Sequence, residues 1–141
     1  KISMVNSEQV NVEIRLPETI KAGEEMEAEV VFSFKEGWHG YANTEANRSS
    51  GFMPTTVIFE FPNGVEILSE IIKPEHSYVG GYSVYTGDEV VFRQKVICPV
   101  SLTERKRKPV LRAHVHYQVC DENMCMPPVN LKLEKEMNIV R

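Results

Sequence analysis

Cys120 and Cys125 are the residues of this chain whose type and spacing are best suited to chemistry. They lie in YQVCDENMCMPP at 117–128, where four polar or flexible residues separate them and the rigid pair Pro127-Pro128 follows. Residues 110–119 alternate apolar and polar upstream, and residues 129–139 do so downstream. A hairpin whose two arms end in cysteines follows from that pattern. Positions facing one another across such a turn can meet the roughly 5.5–6 Å Cα separation of a disulfide. The pair could then be a staple, part of a metal site or a reactive redox centre.

Each use makes different demands. A bridge closing about six residues adds about 2 kcal/mol in the chain-entropy picture, against about 4.7 kcal/mol for a loop of about a hundred. Metal binding would enlist His114 and His116, placed on Cys120's strand face by parity, together with Cys120 and Cys125. Imidazole and soft sulfur suit copper, with zinc the other candidate, and Met124 and Met126 flank Cys125. The bland reading makes the histidines exposed strand residues and the methionines loop filler. The redox reading uses more of the motif. A disulfide at a hairpin tip is open to an incoming thiolate, and the prolines fix the exit of the turn. Asp121 and Glu122 disfavour a thiolate beside Cys120, so the site suits attack by a partner's thiolate better than self-activation. Such a site needs no cofactor.

The chain holds three cysteines, so one is left over. Cys98 continues the inward parity of Val90, Phe92 and Val96 and reads as a buried, inert thiol. No nucleophile triad, carboxylate pair or phosphate-cradling motif is visible, and Gly80-Gly81 reads as a flexible turn.

Strands must position these residues. Val10, Val12, Ile14 and Leu16 alternate with polar residues up to Pro17, and Met26, Ala28, Val30, Phe32 and Phe34 do the same against Glu25, Glu27 and Glu29. Residues 35–55 read as a long loop or interrupted strand carrying Trp38, His39 and Tyr41. Residues 56–61 and 65–72 read as a hairpin through Asn63-Gly64, and residues 74–87 as an aromatic, glycine-rich loop. Strand 89–98 follows, then ERKRK at 104–108 as a solvated turn. Leu111, Ala113, Val115, Tyr117 and Val119 share one face of the next strand, and Val129, Leu131, Leu133, Met137 and Ile139 mark the last. No helical period stands out. About eight short strands with turn signals between them predict an all-β fold, an antiparallel immunoglobulin-like β-sandwich.

Bulk properties agree with one domain over residues 1–141. A net charge of −4 gives no reason to expect a nucleic-acid partner, and no apolar run is long enough to span a membrane. The chain opens on Lys1 without a methionine or signal peptide, as a trimmed mature fragment would.

The sequence resembles the N-terminal domain of the thiol:disulfide interchange protein DsbD. Three places carry the likeness: GWHGY at 37–41 with SSGFMPTTVIFEFPNGVEI at 49–67, SYVGGYSVY at 77–85, and YQVCDENMCMPP at 117–128. The last is the specific one. The resemblance implies a periplasmic immunoglobulin-like domain whose cysteine pair cycles between disulfide and dithiol. It implies a thioredoxin-like electron donor domain, fed by a membrane-embedded domain fused or tethered outside this fragment. It also implies periplasmic thioredoxin-fold acceptors, among them disulfide isomerases and a cytochrome c maturation thioredoxin. By the same resemblance Cys125 is the exchanging sulfur and Cys120 the resolving one. Tyr78 is the cap aromatic, with Val79, Gly80 and Gly81 the flexible part, and Trp38, His39 and Tyr41 line the site.

Overall fold

Alternating patterns along the chain translate into thirteen strands in a computed structural model that describes residues 2–141. In order they are β1 (Met4–Asn6), β2 (Val10–Arg15), β3 (Ile20–Lys21), β4 (Glu25–Phe34), β5 (Gly40–Tyr41), β6 (Thr56–Glu60) and β7 (Glu66–Ile67). Then come β8 (Ser77–Val79), β9 (Tyr82–Tyr85), β10 (Val90–Ile97), β11 (Val110–Tyr117), β12 (Val129–Glu136) and β13 (Ile139–Val140). A short helix α1 (Glu45–Ser49) sits between β5 and β6, and a 3-10 turn (Val100–Glu104) follows β10. The long strands are those visible in the sequence. The two- and three-residue strands carry too few residues for a period of two to show.

Two sheets face each other. One has the order β1-β2-β4-β10-β7, the other β12-β11-β6, and every pairing within them is antiparallel. Val10, Val12, Ile14, Ala28, Val30, Phe32, Phe92 and Val96 point inward from the first sheet. Leu111, Ala113, Val115, Tyr117 and Leu133 meet them from the second. Phe32 lies at the centre with Phe34 stacked beside it and Phe92 and Tyr117 edge-on. Fully burying one such ring contributes about 1.5–3 kcal/mol. The outward acids of β4 pair with cations on its neighbours: Glu29 with Arg15, Glu27 with Arg93 and Glu25 with Lys95. The fold is the all-β sandwich expected from the alternation.

Three local expectations change. Pro62-Asn63-Gly64 is not a hairpin turn, because β6 pairs with β11 while β7 pairs with β10. The segment carries the chain from one sheet to the other, and within residues 65–72 only Glu66–Ile67 forms a strand, with an isolated bridge from Ile72 to Arg93. Residues 74–87 are not a loop. They contain the hairpin β8–β9, whose turn residues Gly80 and Gly81 have φ of 58° and 85°. Two successive positive φ values make a type I′ turn, which suits glycine and matches the twist of the flanking strands. Finally, residues 35–55 include α1. Thr44 caps it, its hydroxyl accepting from the Asn47 N–H, and one turn and a half is too short to show a helical period.

Candidate functional site

Strands β11 and β12 pair in register from Val110↔Glu136 to Tyr117↔Val129, which aims the connecting segment at one end of the sandwich. There Cys120 and Cys125 are joined by a disulfide with a Cα–Cα distance of 4.0 Å, shorter than expected. The backbone explains the closeness. Asp121 N–H donates to the Met124 carbonyl and Met126 N–H to the Val119 carbonyl, so the cysteines face each other as a non-hydrogen-bonded antiparallel pair. Side chains stand nearest in such pairs. Asp121 shapes the turn between them, its carboxylate Oδ1 accepting from the N–H groups of Asn123 and Met124 at 2.8 Å each. Those two bonds hold the Asp121 carboxyl below its usual pKa.

The other edge of Cys120 meets the loop that follows β4. His39 N–H donates to the Cys120 carbonyl and Cys120 N–H to the His39 carbonyl, both at 3.0 Å. The strand parity placing Cys120 with His114 and His116 therefore stops at Tyr117. Val119 and Cys120 are both buried, because the backbone turns to ladder with His39. Cys120 packs with Tyr41 and Val84 in a small core walled by Phe52 and Tyr82. Tyr41 and Phe52 stack with ring centres 4.1 Å apart, and Tyr82 meets Phe52 edge-on. Behind them the buried Asn47 side-chain amide donates to the carbonyls of Ala42 and Ser83, tying α1 to β9.

The two cysteines are unequally exposed. Cys120 is 1% exposed, whereas Cys125 is exposed at the surface. A cavity of about 630 Å³ opens over the pair, walled by Trp38, His39 and Tyr41 on one side and by Val79, Gly80 and Tyr82 on another. Burial lowers the pKa of His39, against a raising influence from Asp121, and its Nε2 lies 3.1 Å from the Tyr41 hydroxyl. Cys98 lies elsewhere, fully buried in the main core as a free thiol whose pKa burial raises.

A sequence model of the family described as "Thiol:disulfide interchange protein DsbD, N-terminal" matches residues 7–136. The chain belongs to this family.

The family's chemistry is thiol–disulfide exchange, and the chain carries the disulfide that such chemistry needs. Among solved structures it is similar to the N-terminal periplasmic domain of ScsB from Proteus mirabilis, at 15% identity and a TM-score of 0.58. That match covers 96% of this chain, which spans only 50% of the ScsB chain. It is also similar to the GAE domain of yeast GGA1, at 9% identity and a TM-score of 0.50, over 95% of this chain and 97% of that one. At such identities these two likenesses speak for the fold alone. No curated protein matches.

Most of the expected DsbD-type site residues come together. Cys120, Cys125, Trp38, His39, Tyr41, Val79 and Gly80 border one cavity. Tyr78 does not. It is 73% exposed, points away from the cavity lining, and its hydroxyl lies 3.3 Å from His76 Nε2. On a strand, alternate side chains face opposite ways, so with Val79 on the cavity wall Tyr78 falls on the other face. The metal set is not assembled either. His114 Nε2 lies 3.0 Å from Glu60 Oε1 across the β6–β11 ladder, and no three His, Cys, Asp or Glu side chains that could hold a metal ion cluster among the described residues. Sequence reasoning missed Phe52 and Tyr82 as walls of the site. Both stand inside the motifs GFMPTT and VGGYSVY, but their roles depend on pairing between segments far apart in the chain.

Proposed function

We propose that this domain is a periplasmic relay for reducing equivalents, working through reversible opening of the Cys120–Cys125 disulfide. The observation that carries the reading is the unequal exposure of the two cysteines bordering one cavity, with Cys125 exposed and Cys120 buried. A thiolate of a thioredoxin-like donor attacks Cys125 Sγ in line with the S–S bond, and Cys120 leaves as the thiolate and takes up a proton. The donor's second thiol then attacks the donor sulfur of the mixed disulfide. That step frees Cys125 and leaves the donor oxidised by two electrons. In the forward half, Cys125 attacks the disulfide of a periplasmic thioredoxin-fold acceptor. Cys120 then closes on Cys125 and releases the acceptor as a dithiol.

The hairpin β8–β9 serves as the cover. Val79 and Gly80 help wall the cavity that opens over the cysteines, and Tyr78 and Val79 expose apolar surface on the same hairpin, where a partner would dock. A membrane-embedded supplier of electrons belongs to the same reading. No helix among the described residues is long and apolar enough to cross a membrane.

Equilibration against glutathione and dithiothreitol buffers tests the proposal. A relay requires a potential above about −300 mV, within reach of thioredoxin-fold partners, while a lower value marks an inert structural bridge.

A further inference from the structure

We infer that His39 is the proton acceptor for Cys120 when this cysteine closes the disulfide. The inference rests on the exchange reading above and adds a role specific to this chain's own residue.

Cys120 has two antiparallel partners, one on each side: Cys125 in a non-hydrogen-bonded pair and His39 in a hydrogen-bonded pair. Directly opposed residues in antiparallel strands project to the same face, with Cβ atoms about 4.5–5.5 Å apart. His39, Cys120 and Cys125 thus form a row of three side chains on one face, with the buried sulfur in the middle. All three border the same cavity.

Chemistry supplies the need. Cys120 is 1% exposed and packed among Tyr41, Val84, Phe52 and Tyr82, surroundings that favour the neutral thiol over the thiolate. Only the thiolate attacks a disulfide, so the reduced site needs a base beside this sulfur. Among the titratable groups at this cavity, Tyr41 on β5 bonds the His39 ring and Asp121 in the cysteine turn acts on its charge, while Tyr82 on β9 and Glu122 line the same space. Asp121 is committed to the Asn123 and Met124 N–H groups. The imidazole is half-buried, and its desolvation keeps it neutral and able to accept at neutral pH. In the tautomer this role requires, Nε2–H donates to the Tyr41 hydroxyl oxygen 3.1 Å away, and Nδ1 is the unprotonated nitrogen that takes the proton.

The step balances. With an acceptor sulfur bonded to Cys125, His39 takes the proton of the Cys120 thiol, and Cys120 Sγ bonds to Cys125 Sγ. The bond from Cys125 to the acceptor breaks, and its electron pair leaves on the acceptor thiolate. That thiolate is then protonated by the imidazolium or by water.

Ellman's disulfide, 5,5′-dithiobis(2-nitrobenzoate), serves as both oxidant and probe. The reduced domain releases one thionitrobenzoate as Cys125 attacks and a second as Cys120 resolves, and the second phase is independent of reagent concentration. In the unaltered protein this second rate should be nearly flat across pH 7–8. In His39→Gln it should fall about 100-fold at pH 7 and climb about tenfold per pH unit as the thiol ionises by itself. Tyr41→Phe, which keeps the ring stack, should show only a several-fold loss. A His39→Gln second phase within about twofold of the parent, with the same pH profile, overturns the inference. Absence of any first phase would instead overturn the exchange reading, because Cys125 would then not be the attacking sulfur.

Discussion

The Asp121 carboxylate has a small but definable job at the site. Its two accepted backbone bonds depress its pKa, so its contribution to the turn is complete above the ordinary carboxylate value near ~4 and is lost as pH falls through the lower folded value. The amide resonances of Asn123 and Met124 should therefore titrate together below pH ~4. Asp121→Asn keeps an acceptor oxygen and should abolish that titration while preserving the turn, whereas Asp121→Ala should lose both. Cys98 gives a second residue-level expectation. Burial raises its pKa and shields it, so iodoacetamide should modify it only after unfolding, and Cys98→Ala should leave exchange rates unchanged. At this scale the sequence was most legible. Residues whose chemistry is intrinsic, Cys120 and Cys125, declared themselves by spacing, whereas Tyr78 was assigned by analogy and turned out to face solvent.

At the scale of elements, the β8–β9 hairpin is the piece whose behaviour matters most. Both turn glycines have open space where a Cβ would go, so the barrier to replacing them is backbone strain alone. Ala at Gly80 or Gly81 should cost about 1–2 kcal/mol in the hairpin, while Asn-Gly in place of the pair should be tolerated. If the hairpin covers the sulfurs, reduction of the disulfide by dithiothreitol should speed up severalfold in the Ala variants and not in the Asn-Gly one. Element reading succeeded where one face is dry and failed where topology decides. Val10–Arg15 and Val110–Tyr117 alternate because a core lies on one side. Asn63-Gly64 supplies a turn, but a turn signal cannot say whether the next strand joins the same sheet or the opposite one. Gly80-Gly81 reads as a turn in the sequence, but the strands it joins, Ser77–Val79 and Tyr82–Tyr85, are too short for their alternation to show.

For the whole molecule, stability and chemistry are separable. The sandwich core gathers around Phe32 and continues to Leu133 without using the disulfide. Phe32→Ala should lower stability by about 3–5 kcal/mol, read from urea unfolding at fixed redox state. Reducing the Cys120–Cys125 bridge should remove only about 2 kcal/mol, a drop in Tm of several degrees, because the loop it closes is short. A scaffold that stands without its bridge can open and close that bridge in each cycle. Mixed-disulfide trapping tests this most directly. Cys120→Ala, incubated with an oxidised thioredoxin-fold protein, should accumulate a covalent complex whose peptide map places the link at Cys125, while Cys125→Ala should form none. A link through Cys120, or no complex with either variant in folded protein, would contradict the account.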